Sequence, residues 1–311
     1  MQIQHTFIQG KYGQPVLCED GLFTNDHYIA VIDGVTSKSN FTYEGMKTGK
    51  IASNIIKDFL ATLDPQASIE TVILGVNQAF EDKFYTHVDF PLNRIEHGPQ
   101  AAMALYSDFH KCIYLIGDCQ ASVNGQLYIQ PMASDDILSA FRSLILHINS
   151  NHHQEARDAI MPYLVSSNTF ANMSETRFGY SVLNGQEIPT DLITTIPVQI
   201  GDEIVLTSDG YPEIRPTFEE TEAYLQEIIH NDPNLIDQFV STKGVNPDQV
   251  SFDDRSYIYC LQSDEPVVNL KNLLSIKHKI PRPIWPRDFF SSEYSFVVSI
   301  FYNGELVFLN T

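Results

Sequence analysis

Two short apolar runs in this chain end the same way. Tyr28-Ile-Ala-Val-Ile32 closes on Asp33-Gly34, and Asp202-Glu-Ile-Val-Leu-Thr-Ser208 closes on Asp209-Gly210. Runs this short, β-branched and bounded by polar residues, read as buried β-strands. An Asp-Gly dipeptide also punctuates ordinary strand-to-turn boundaries. A carboxylate at a buried strand end can leave the strand as a metal ligand, and the glycine beside it lets another backbone or an ion come close. The pattern recurs. Cys112-Ile-Tyr-Leu-Ile-Gly117 leads into Asp118, Asp253-Asp254 stands just before the apolar run that ends at Leu261, and Glu19-Asp20 precedes the first run. Carboxylate and carbonyl oxygens without a Cys/His cluster suit hard cations, Mg²⁺ or Mn²⁺, rather than Zn²⁺. The ten histidines show no HxxxH spacing and the four cysteines no CxxC pair. Cys112 and Cys260 lie in strand patterns and read as buried, reduced side chains.

Taken in order, Glu19-Asp20, Asp33-Gly34, Gly117-Asp118, Ser208-Asp209-Gly210 and Asp253-Asp254 resemble the motifs of the protein phosphatase 2C family of metal-dependent serine/threonine phosphatases, as a divergent bacterial-type member. The resemblance assigns residues 1–264 to a phosphatase 2C-like domain and leaves 265–311 as a C-terminal extension. It implies an α+β fold, a four-layer α-β-β-α sandwich with two mainly antiparallel sheets. In that arrangement Asp33 would bridge two cations. Glu19 and the Gly34 carbonyl would serve one ion, and Asp209 and Asp253 the other. Asp118, shared with Asp209, would hold a weaker third. Asp20 would hold metal-bound water, so Asp33 and Asp20 carry the catalytic roles. The implied cofactor is Mn²⁺ or Mg²⁺, two ions and a weaker third. The implied activity is hydrolysis of phosphate monoesters, with phospho-Ser/Thr proteins as substrates, by attack of a metal-bridged water. Paired divalent ions lower the pKa of such a water and offset phosphate charge. Without cations the gathered carboxylates would repel one another.

Two positions depart from the family pattern. The arginine that clamps phosphate shortly before Glu-Asp is absent; the chain reads Gln14-Pro15-Val16-Leu17, and the nearest cation is Lys11. Val35 stands where eukaryotic members often carry a histidine credited as general acid. Lys38 is a candidate phosphate contact. These departures leave room for a second reading, a phosphatase-fold regulatory or scaffold protein with little catalysis.

Lys+Arg 19 against Asp+Glu 39 gives a net charge of −20, which sets the chain against nucleic acid as a partner. The start lacks the charged and apolar regions of a signal peptide. No apolar run approaches membrane-spanning length. A cytoplasmic protein without a membrane partner is the expectation. Period-3.6 stripes place helices over about 44–63, 68–86, 135–148, 154–165, 218–230 and 233–240. Strands are expected at 101–106, 112–116, 121–129, 178–183, 191–196, 203–207 and 255–261, with Asn124-Gly125 as a type I′ hairpin turn. Strands in clusters, with helical pairs between them, favour stacked antiparallel sheets covered by helices. Asp135-Asp136 reads as a helix start, where negative charge is favourable. In the extension, prolines at 266, 281, 283 and 286 flank Trp285, and Asn303-Gly304 centres a second hairpin over 294–309. Packing of this extension on the body is the expectation, with partner docking as the alternative.

Overall fold

Period-2 alternation sorts the apolar residues of this chain onto opposite strand faces and so fixes the layers. The computed structural model describes residues 1–38, 41–150 and 152–263, and the backbone of 297–302 and 305–310. Its strands are β1 (Gln2–Gln9), β2 (Gly21–Thr24), β3 (Tyr28–Gly34), β4 (Ala101–Ser107), β5 (Cys112–Ile116), β6 (Gln120–Val123), β7 (Gln126–Tyr128), β8 (Thr194–Pro197), β9 (Glu203–Thr207) and β10 (Arg255–Leu261). Its helices are α1 (Thr48–Leu60), α2 (Ile69–Lys83), α3 (Arg94–His97), α4 (Ala133–Ile148), α5 (His153–Ser166) and α6 (Phe218–Asn231). One sheet has the order β1-β10-β9-β6-β7 and the other β2-β3-β4-β5-β8. Every adjacent pair in both is antiparallel.

The faces of β3 show how the layers stack. Tyr28, Ala30 and Ile32 pack with Ile51, Ile55 and Ile56 of α1 and with Val72, Val76 and Phe80 of α2. Ile29 and Val31 point the other way, into a core shared with Leu206 of β9 and Ile258 of β10. On the far face of that second sheet, Val205 and Tyr257 pack with Leu225 and Ile228 of α6. The result is an α-β-β-α sandwich, the architecture expected from the sequence. β3 is buried on both faces because it lies inside a sheet covered on both sides. α4 and α5 pack on each other through Leu138, Ile160 and Leu164.

Local signals explain several boundaries. Ser68 caps α2 by accepting from the Thr71 amide at 3.3 Å. Thr217 and Glu220 form a reciprocal capping box on α6. Asn124 and Gly125 both have positive φ, as a type I′ turn requires, and join β6 to β7.

Two expected elements did not form. Residues 178–183 form isolated bridges instead of a strand, Leu183 with Ala101 of β4 and Tyr180 with Ala171. The Asn172 side chain takes the place of a neighbouring strand. Its Oδ1 accepts from the Val182 amide at 2.9 Å and its Nδ2 donates to the Val182 carbonyl at 3.0 Å. Residues 233–240 are not helical. The Asp232 carboxylate accepts from the amides of Ile236, Asp237 and Gln238, and Leu235 has a φ of 52°. A side chain wrapped around three amides competes with helical bonding, and a left-handed leucine stops a right-handed helix. Residues 191–196 are also shorter as a strand than expected; a 3-10 turn, Thr190–Leu192, precedes β8.

The chain divides into two units, Met1–Glu265 and Pro266–Thr311. In the second, β11 (Val297–Tyr302) pairs antiparallel with β12 (Glu305–Asn310), in register from Val297 opposite Asn310 to Tyr302 opposite Glu305. The proline-flanked Trp285 segment lies outside the described residues. No helix among the described residues is long and apolar enough to cross a membrane.

Candidate metal and phosphate site

The site begins where β3 runs out. Gly34 closes the strand so tightly against its neighbours that a Cβ there would collide with the Gly49 carbonyl and lie 2.5 Å from the Glu19 carbonyl oxygen. Only glycine admits that approach. The contact is mutual, since a Cβ on Gly49 would lie 2.5 Å from Glu19 Oε2 and 2.6 Å from the Gly34 carbonyl oxygen. The carboxylate of Glu19 and the carbonyl of Gly34 therefore converge on the first turn of α1, within reach of one another and beside Asp33.

Glu19 is 1% exposed, and among the described residues neither of its carboxylate oxygens has a hydrogen-bond partner. Lys47 Nζ lies 3.8 Å from Oε1. Asp20, equally buried, accepts from Ser256 Oγ at 2.8 Å through Oδ2, while its Oδ1 has no partner. Burial raises the Glu19 carboxyl above its ordinary range, against the pull of Lys47 and Lys11. Burial, and then the Asp254 charge, raise Asp20 to about 7. Asp33 is held well above the carboxylate range by removal from water and by the charges of Asp209, Asp20 and Asp118. Asp118, just past β5, is pushed up to about 7 by burial and by Asp209. The carboxyls of Asp20, Asp33, Asp118 and Asp209 thus feel one another. Asp33, Asp118, Asp209 and Asp253 line one cleft of about 360 Å³.

The Asp253-Asp254 pair divides its labour. Asp254 accepts from the Lys11 amide at 2.8 Å and from the Glu19 amide at 2.7 Å, so it ties three distant stretches together. Asp253 is engaged by ammonium groups at both oxygens. Lys11 Nζ donates to Oδ1 at 2.9 Å, and Lys243 Nζ lies on Oδ2. Among the described residues no three Asp, Glu, His or Cys side chains are gathered tightly enough to form a finished metal-ligand group.

The remaining sequence candidates fall into place around these carboxylates. Lys38 is exposed at the cleft, and Val35 lines it. The Val35 amide donates to the Gln100 carbonyl at 3.0 Å. Asp135 starts α4, as the sequence suggested, and also lines the cleft, where Lys38 opposes the burial that raises its carboxyl. Three further cations, Lys47, Arg157 and Lys243, carry no signal in their local sequence. They reach the region from the start of α1, from α5 and from the loop after α6. Arg177 lies over the Phe178 ring at 4.6 Å and does not line the cleft.

No protein-family model matches this chain, and no curated protein does. Among solved structures it is similar to the catalytic domain of the serine/threonine protein phosphatase PstP in complex with two manganese ions, at 18% identity and a TM-score of 0.45, over 85% of this chain and 100% of that one. It is similar to the serine/threonine phosphatase Stp1 from Staphylococcus aureus at 15% identity and a TM-score of 0.44, over 84% of this chain and 95% of that one. It is also similar to PppA, a regulatory component of T6SS in Pseudomonas aeruginosa, at 15% identity and a TM-score of 0.42, over 84% and 98%. The first two are serine/threonine phosphatases, the class that the ordered carboxylate motifs resemble.

Proposed function

We propose that this chain is a divergent phosphatase of the 2C type, a hydrolase that depends on Mn²⁺ or Mg²⁺ and acts on phosphoserine and phosphothreonine in proteins. One observation carries the reading. Among the described residues the buried oxygens of Glu19 and the free oxygen of Asp20 have no hydrogen-bond partner, and Glu19 Oε2 converges with the Gly34 carbonyl at the end of the strand that holds Asp33. A buried carboxylate left without a partner costs several kcal/mol, on the order of 3–5 when a charge loses its counterpart. Oxygen-only donors of this kind fit a hard divalent ion. Glu19, Asp33 and the Gly34 carbonyl would hold one ion. Asp33, Asp209 and Asp253 are the donors available to a second, and Asp118 to a weaker third.

Divalent ions bound there supply Lewis acidity and lower the pKa of water at the reacting phosphate. The rest is the work of the chain's own residues. Asp20, fixed by Ser256, presents one free oxygen as a proton acceptor. Lys38 offers an ammonium group to the substrate phosphate at the cleft. Val35, in the same cleft, has no proton to give the leaving oxygen.

The hold of Lys11 and Lys243 on Asp253, together with Val35, favours one alternative, a phosphatase-fold regulatory protein with weak catalysis. Phosphate release from p-nitrophenyl phosphate separates the two. The phosphatase reading expects release that needs Mn²⁺ and stops with EDTA. No release from protein that has bound Mn²⁺ would select the regulatory reading.

A further inference from the structure

A second cavity, of about 460 Å³, adjoins the carboxylate cleft and shares Thr36, Lys38, Lys243 and Phe252 with it. Lys11, Lys38, Lys47, Arg157 and Lys243 all line it, and among the described residues no Asp or Glu does. The chain as a whole carries 39 acidic residues against 19 basic ones. A lining of one sign, and of the minority sign, is therefore built by the fold and does not follow from composition. The five cations come from five separate stretches: the loop after β1, the segment after β3, the approach to α1, α5 and the loop after α6. Two of them are anchored by the protein. Lys11 is 5% exposed and donates to Thr36 Oγ1 at 3.1 Å, and Arg157 donates to the Thr242 carbonyl at 2.6 Å.

Carboxylates answer part of this charge. Asp253 engages Lys11 and Lys243, and Glu19 lies 3.8 Å from Lys47. Among the described residues, Lys38 and Arg157 have no carboxylate within ion-pair distance. Gathering like charges in one concavity destabilises it and raises its affinity for anions. A dianionic phosphoryl group, with three acceptor oxygens, uses a guanidinium and several ammonium groups better than one carboxylate would.

We propose that this pocket is an accessory anion site that takes a second phosphoryl group, next to the one at the carboxylate cleft. The preferred substrate then carries two phosphoryl groups close together. This substrate preference rests on the phosphatase reading; the pocket's affinity for phosphoryl anions does not.

The test is calorimetric titration of inorganic pyrophosphate into the full chain with EDTA present. Without divalent ions the carboxylate cleft repels anions, so binding reports the basic pocket. Saturable binding is expected, weakened by added salt. The variant pair Lys38→Gln/Lys47→Gln, both at exposed side chains, should weaken it tenfold or more with an unchanged melting temperature. Arg157→Gln should weaken it as well. No binding in EDTA, or binding unchanged in these variants, overturns the proposal. Its failure is distinct from failure of the phosphatase reading: the first leaves Mn²⁺-dependent hydrolysis intact with no pyrophosphate binding, and the second leaves pyrophosphate binding intact with no hydrolysis.

Discussion

The two ends of the carboxylate cluster are built from the same residue types and satisfied in opposite ways. At the Glu19 end, three buried oxygens on Glu19 and Asp20 have no hydrogen-bond partner among the described residues, and the Lys47 ammonium stands off from Glu19 at 3.8 Å. At the Asp253 end, both oxygens of a single aspartate are engaged by lysine ammonium groups. Burial makes charge expensive in both places, and the fold resolves the cost internally at one end only. The difference separates donor oxygens open to an external cation from donor oxygens that already hold internal ones. A divalent ion at the Glu19 end would compete with the Lys47 ammonium, which lies 3.8 Å from Oε1 and outside hydrogen-bond distance. At the Asp253 end it must displace two ammonium groups.

Asp33 precedes Gly34 on β3 and lines the cleft with Asp253, so its loss should have the largest effect at both ends. Asp33→Asn is expected to lower Mn²⁺-dependent hydrolysis by about 100-fold or more, since even partners behind the direct ligands of a metal are worth roughly 10–100-fold. Steady-state rates over a Mn²⁺ series check this. Activity within a few-fold of wild type would remove Asp33 from the site.

Val35 has no proton to give the leaving group, which gives the next largest effect. p-Nitrophenolate leaves without protonation, whereas a serine alkoxide does not. General-acid help is worth about 10²–10⁴-fold, so p-nitrophenyl phosphate should exceed phosphoserine peptides in kcat/KM by a gap of that order. Val35→His should narrow it. Brisk phosphoserine hydrolysis by the wild type, with no change in the variant, would point to a different donor.

The carboxylates of both ends were legible in the sequence, and the lysine contacts that hold Asp253 were not. Asp33-Gly34 stood out because a strand buried on both faces has a short apolar signature and its terminal carboxylate breaks it. Asp209, Asp118 and the Asp253-Asp254 pair stood out for the same reason. Lys243 and Arg157 did not. They sit on a loop and on a helix, more than a hundred residues from β3 in the sequence, and only tertiary folding brings them to the aspartates. The layer order was legible because alternation reports faces directly. Residues 178–183 and 233–240 were misread because the side chains of Asn172 and Asp232 supply bonds that periodicity cannot register.

The competition at Asp253 can be sharpened from the lysine side. Lys243→Gln frees one oxygen of Asp253. Mn²⁺ should then titrate with a tighter second step and an unchanged first step, both read by calorimetry. A first step that moves while the second does not would reverse the assignment of the two ends.

The smallest effect is on stability. Asp20 and Asp118 ionise near 7 in the folded protein against 3.8 for an ordinary aspartate. Between those values the folded chain binds more protons than the unfolded one. Stability in EDTA is therefore greatest at the acid end of this window and falls as pH rises through about 7. The melting temperature should drop by a few degrees between pH 5 and pH 8 in EDTA, and Mn²⁺ should restore most of the loss at pH 8. A melting temperature that rises over the same interval in EDTA would contradict the placement of these carboxyls.

The asymmetry itself is tested most directly by titrating Mn²⁺ calorimetrically into wild type, Glu19→Gln and Asp253→Asn. The tight step should vanish in Glu19→Gln and survive in Asp253→Asn, because the oxygens at the Glu19 end lack the closely bound ammonium groups that Asp253 has. A tight step that survives Glu19→Gln and is lost in Asp253→Asn would contradict the account.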